Sequence, residues 1–203
     1  MKTLITRTLT LTLLLTITFA AAQTISKEER KRALNLYDRA MSQTSDYVKG
    51  LSAEQLNFKP SEDSWSIADC IEHMALSETM FMDMLNKSLE TPADPSKASK
   101  KSFDDKTLYN MITDRSQKVK TSAPLEPSNK WSSTKETFKA FKQARKDTEK
   151  FIRKTDSDLR NHYAELPFGP IDTYQMLLFG AGHQMRHNDQ ISEIMNHPNF
   201  PGS

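Results

Sequence analysis

The chain has 203 residues, with 28 Lys and Arg against 26 Asp and Glu, five His and one Cys. That length suits one domain with a substantial core. Five glycines and 27% charged residues exclude collagen-like and linker-like chains, and a single cysteine excludes an internal disulfide scaffold.

Residues 1–22 open with Lys2 and Arg7, continue as a Thr-softened apolar run from Leu9 to Phe19, and end on Ala20-Ala21-Ala22. This is the pattern of a secretory signal peptide cleaved before Gln23. The run is shorter than the roughly 20 residues of a spanning helix, and no cysteine follows it to carry a lipid. The expectation is export to a bacterial periplasm or the cell exterior, with no stable membrane anchor after cleavage. The segment holds two of the 28 basic residues and none of the 26 acidic ones, so the +2 charge of the whole chain belongs to it. Residues 23–203, expected to form one domain, are balanced at 26 of each sign. A neutral body gives no electrostatic footprint for nucleic acid or an anionic membrane. In an oxidising compartment the lone Cys70 reads as a small buried hydrophobe.

No internal repeat is visible, and no segment alternates as a strand does. The first helix runs from Ser26 to Tyr47, opened by the capping box Ser26/Glu29, with Ala33, Leu34, Tyr37, Ala40 and Met41 on its apolar face and Gly50 as a stop. A connector with Pro60 leads to a second helix from Ser66 to Ser88, with Trp65 as a plug at its start. Residues 91–102, with Pro92, Pro95 and three Lys, read as a surface loop. A short helix is expected over 104–119 and an extended stretch over 122–131. The third long helix opens with Ser133 and Glu136 and runs to Lys154, its stripe of Phe138, Phe141, Thr148 and Ile152 interrupted by Arg145. The loop from Asp156 carries the turn signal Pro167-Phe168-Gly169-Pro170. The last helix starts at Asp172 and ends near Asn196, before Pro198. The fold class is therefore all-α: a four-helix bundle with one additional short helix and long loops.

Three of the five histidines lie on apolar helix faces. His183 and His187 are four residues apart, about 40° round the helix, so both lean the same way, and they share a stripe with Met176, Phe179, Gln190 and Ile194. His73 shares the inner face of the second helix with Cys70, Leu76, Ser77, Met80 and Met84. Burying an unpartnered polar group costs on the order of 1–3 kcal/mol, and a divalent ion removes that cost by bonding the ring nitrogens. Three neutral protein ligands leave a coordination position for water or substrate. The competing explanation is a set of packed core histidines. HQMRH is not HExxH: Gln184 stands where a zincin has its glutamate base.

PSEDSWSIADCIEHM, preceded by LSAEQLNFKP and followed about a hundred residues later by GAGHQMRHNDQI, resembles the DinB-like (DinB/YfiT) superfamily. The shared features are a Trp-Ser-Ile start to the second helix followed by a His, and a His-x3-His pair on the last helix followed by Gln-Ile. The resemblance covers nearly all of residues 23–203. It implies a four-helix bundle with one divalent metal held by His73, His183 and His187, Zn or Ni first, Fe or Mn next. Characterised relatives include thiol-dependent transferases and isomerases. Their low-molecular-weight thiols are cytoplasmic, a setting that the expected export would leave.

Three further side chains qualify as a second shell or as substrate contacts. Gln190 lies one turn beyond His187. Arg145 could pair with a buried acid or hold an anionic substrate group. Glu78 is about 140° round the helix from His73 and reads as a partly exposed acid or a site acid/base. His162 and His197 read as surface loop histidines, and Gly180 and Gly182 as points of close packing. The expected function is metal-dependent hydrolysis or group transfer on a small molecule. The alternative is a metal- or ligand-binding bundle without catalysis. Such bundles also dimerise through helix faces, and no surface patch in the sequence decides this.

Overall fold

The computed structural model describes residues 24–202, so the signal-peptide reading of 1–22 lies outside the described residues. The elements are α1 (Lys27–Val48), α2 (Ala53–Asn57), α3 (Ile67–Leu89), α4 (Asp105–Thr113), α5 (Thr134–Lys154), β1 (Tyr163–Leu166), β2 (Gly169–Asp172) and α6 (Thr173–Met195). Two 3-10 turns lie at Pro95–Lys100 and Ala123–Leu125. Starts are fixed by side-chain caps. Ser26, Ser52, Ser66 and Asp172 each close a reciprocal box with the residue three positions on, whereas Ser133 only accepts from the Glu136 N–H. Each such cap stabilises its helix by about 1 kcal/mol.

The four long helices form the bundle. α1 and α3 each pack against both α5 and α6, so α1 and α3 occupy one diagonal and α5 and α6 the other. α4 packs on the outside of α6. Glycines permit two of these approaches: a Cβ on Gly180 would lie 2.7 Å from the Tyr37 hydroxyl of α1, and one on Gly182 would press on Tyr109 and Ile112 of α4 at 3.3 Å.

The structure corrects the expectation in four places. A short hairpin is present, with β1 antiparallel to β2 and Leu166 opposite Gly169. Its strands are four residues each and one contains Pro170, too short and too interrupted for an alternation to show; Gly169 takes the φ of +113° that its turn needs. α2 lies within the stretch read as a connector. α4 ends at Thr113, not Val119, and the chain beyond it is held by contacts to α6. Glu78, read as partly exposed, is 3% exposed.

The buried apolar residues form two clusters. One holds Tyr37, Leu85, Ile152, Tyr174, Leu177 and Leu178, and the other Ile67, Cys70, Ile71, Met74, Phe141 and Ile191. Between them along α3, α5 and α6 lie the buried polar groups: His73, Ser77 and Glu78, Arg145 and Thr148, Gln184, His187 and Asn188.

Beside the first cluster the helices are tied together by Arg160. Its guanidinium donates to Glu29 of α1, to both carboxylate oxygens of Asp105 on α4, and to Asp172, the cap of α6. It also lies 4.1 Å over the Tyr174 ring. Burial alone would raise the Glu29 and Asp105 carboxyls. In both, hydrogen bonds and the charge of Arg160 outweigh it, and the two groups titrate below their ordinary values of 4.5 and 3.8. A carboxyl depressed by folding stabilises above its unfolded value, and that contribution is lost as pH falls through the folded one. Arg160→Ala is expected to cost about 2–3 kcal/mol at pH 7, less than a fully buried pair because the site is partly exposed. Urea denaturation at pH 7 and at pH 3.5 reads this, and the difference from wild type should shrink at the lower pH.

Candidate metal centre

α3 and α6 bring the three inward histidines together. The His73 and His183 Nε2 atoms are 3.0 Å apart and those of His183 and His187 3.2 Å. One nitrogen from each ring lies within 4.8 Å of the others, the only such set of three His, Cys, Asp or Glu ligand atoms among the described residues. The rings are packed in aromatic surroundings: Trp65 against His73 and His187 at 4.8 and 5.9 Å, Phe81 and Phe179 against His183 at 5.2 and 6.3 Å.

The outer nitrogens set the tautomers. A carbonyl oxygen only accepts, so His73 Nδ1–H donates to the Leu125 carbonyl at 2.9 Å, and His187 Nδ1–H donates to Gln190 Oε1 at 2.9 Å. Both Nε2 atoms therefore carry lone pairs, and both face His183 Nε2. That atom holds at most one hydrogen, so it cannot direct a good hydrogen bond to both neighbours. Ser77 reaches His73 Nε2 only at 3.4 Å. Protonation offers no remedy. Burial, then the neighbouring imidazoles, push His183 well below its ordinary value; burial, then His73, push His187 down to about 3; burial also lowers His73, partly offset by the Leu125 carbonyl. All three are neutral at neutral pH, the form in which imidazole binds a metal. A tetrahedral ion with bonds of about 2.0–2.1 Å spaces its ligand nitrogens by about 3.3 Å, close to the separations found. The donor set fits a divalent cation.

A family model for the DinB superfamily matches residues 36–191. The chain belongs to the DinB superfamily. YuaE of Bacillus subtilis (strain 168), described as an uncharacterized protein, is 26% identical over 162 residues, which are 79% of this chain and 96% of that one. The structure of YfiT from Bacillus subtilis, described as a probable metal-dependent hydrolase with an unusual four-helix bundle topology, superposes with a TM-score of 0.60 at 15% identity. It covers 88% of this chain and 93% of its own. The two share the bundle fold.

The other sequence-derived residues divide. Gln190 is in the site, holding His187. Arg145 and Glu78 make no hydrogen bond to the imidazoles among the described residues; they form a buried ion pair of 2.9 Å between α5 and α3, with Thr148 donating to Glu78. The guanidinium lies between the Tyr37 and Phe141 rings at 4.1 and 5.5 Å, with Nε and Nη1 unpartnered. Gln184 faces α1, where it donates to Thr44, so it supplies no base. His162 and His197 are in loops, and Cys70 is buried and does not join the set of clustered ligand atoms. Trp65 is half-buried against two of the imidazoles and lines a cleft of about 700 Å³ beside His187. Nothing in the residue pattern marks Glu72 or the 122–131 segment as neighbours of the histidines.

Breaking a buried pair leaves an uncompensated charge. Arg145→Met alone should cost about 3–5 kcal/mol in chemical denaturation. The Glu78→Gln/Arg145→Met double variant should regain most of that and leave the imidazole NMR resonances of the histidine cluster in place. Displaced resonances in the double variant would place Arg145 and Glu78 in the site.

Proposed function

We propose that the protein is a metal-dependent hydrolase of the DinB superfamily, holding one divalent ion on His73, His183 and His187 and acting on a small molecule in the adjoining cleft. The observation that carries this reading is the meeting of three neutral ring nitrogens whose lone pairs cannot be satisfied by one another. Imidazole ligands favour Zn, Ni, Cu or Fe over Mg or Ca. A divalent ion bound there supplies Lewis-acid chemistry, polarising a carbonyl or phosphoryl oxygen and acidifying a water. The chain's own residues orient and shield. Leu125 and Gln190 fix two imidazoles, Trp65 covers one side of His73 and His187, and the cleft admits substrate beside His187. Its lining is polar and mixed in sign, including Lys59, Lys118 and Lys120 as well as Asp63 and Glu126, which suits a polar rather than a greasy substrate. Transfer to a thiol uses the same centre with a different nucleophile. Export through residues 1–22 belongs to this reading, supported by the charged start, apolar run and Ala20-Ala21-Ala22.

Elemental analysis of the untagged mature chain is expected to find about one transition-metal ion per chain, and none in a His183→Ala/His187→Ala variant. Turnover on a panel of esters, amides, phosphoesters and thiol adducts should fall by roughly a hundredfold or more in that variant and on chelation. A fully metallated protein with no activity above the variant would leave a metal-binding bundle without catalysis. Failure to take up Zn, Ni, Mn or Fe at all would remove the metal centre itself.

A further inference from the structure

Glu72 precedes His73 on α3 and is 6% exposed. Its carboxylate has no Lys or Arg within ion-pair distance among the described residues. Instead it accepts three successive main-chain N–H groups, from Ser128 at 3.0 Å, Asn129 at 3.2 Å and Lys130 at 2.9 Å, with the Ser128 hydroxyl at 3.4 Å. Asn129 has φ +59°, which turns the consecutive amides toward one point, the arrangement that elsewhere receives a bound anion. Here a side chain of the bundle fills it. The bonds are charge-assisted and shielded from water, hence strong.

Three residues before this turn is Leu125, whose carbonyl accepts the His73 Nδ1–H. The intervening chain is stiff: Leu125 ends a 3-10 turn containing Pro124, and Pro127 adjoins Ser128. Two adjacent residues of α3 thus grip one strap at two points, by the Glu72 carboxylate on the amides and by the His73 ring on the carbonyl. We propose that Glu72 is the positioning residue of His73. By holding residues 128–130 it fixes the Leu125 carbonyl, and that carbonyl keeps the proton on Nδ1 and the Nε2 lone pair turned to His183. The effect on metal affinity rests on the metal reading above, whereas the effect on the tautomer does not.

The test uses Glu72→Gln, whose amide nitrogen would oppose the strap amides donor to donor, and Glu72→Asp, which keeps the charge on a shorter arm. Ile152→Val, in the other apolar cluster, is the comparison for general loss of stability. Long-range proton–nitrogen NMR of the metal-free proteins reads the His73 tautomer, and Co(II) titration with Zn(II) competition reads affinity. Wild type and Ile152→Val should show Nδ1–H alone. Glu72→Gln should show a mixture and a 10–100-fold weaker Co(II) complex, the range for loss of an outer-shell partner. Glu72→Asp should fall between, and it decides the tautomer should Glu72→Gln not fold. An unchanged tautomer with affinity within twofold of wild type would overturn the proposal and leave Glu72 a clamp on the strap. If wild type binds no Co(II), the metal reading fails and the tautomer measurement alone decides the role of Glu72.

Discussion

Imidazole, carboxylate and guanidinium groups must be satisfied inside this bundle, and most of its specific structure answers that constraint. An apolar four-helix interface tolerates many registers, because leucine against leucine is nearly as good one turn along. A polar layer between two apolar clusters does not. Sliding α3 against α5 would part Glu78 from Arg145, and sliding α6 against α1 would part Gln184 and Asn188 from Thr44, to which both are hydrogen-bonded. Each misalignment leaves buried polar atoms without partners, at a cost of about 1–3 kcal/mol apiece. The histidines are therefore brought together by a register that other polar contacts have already set.

The Arg160 cluster and the histidine layer divide the work. Near the start of α6, Arg160 gathers three carboxylates from three elements and fixes how α1, α4 and the hairpin meet. Each of those three carboxylates is paired with the guanidinium. In the layer between the two apolar clusters the imidazoles are arranged so that lone pairs remain. The His73 and His187 outer nitrogens are tied down and their inner ones are left facing His183.

The parts legible in the sequence were those carried by one helix at a time. Helix starts were set by Ser26, Ser66 and Asp172, and the shared lean of His183 and His187 followed from their spacing alone. His73 could be assigned to an inner face, and the family resemblance joined it to the pair. What could not be read depended on two elements meeting. Glu78 looked like a flank residue because its partner is on α5, and Arg145 could equally have faced substrate. The hairpin is too short to show a period. Glu72 carries no local signature, since its partners are backbone amides more than fifty residues away, and backbone donors leave no trace in side-chain chemistry. Trp65 reads as a plug from its position, and its packing on two imidazoles shows only once α3 and α6 meet.

The strap beside the histidines is held almost wholly by its main chain. Glu72 takes amides, His73 takes a carbonyl, and Arg186 donates to the carbonyls of Asp114 and Gln117. Anchors of that kind do not depend on which side chains the strap bears, apart from the prolines that stiffen it and the Arg115 that pairs with Glu193. Lys118, Val119 and Lys120, which edge the cleft, carry none of the tether. Exchanging those side chains would change the lining of the cleft without loosening the frame around the histidines. The side chains that edge the cleft and the main-chain groups that anchor the strap thus lie in separate parts of one short segment.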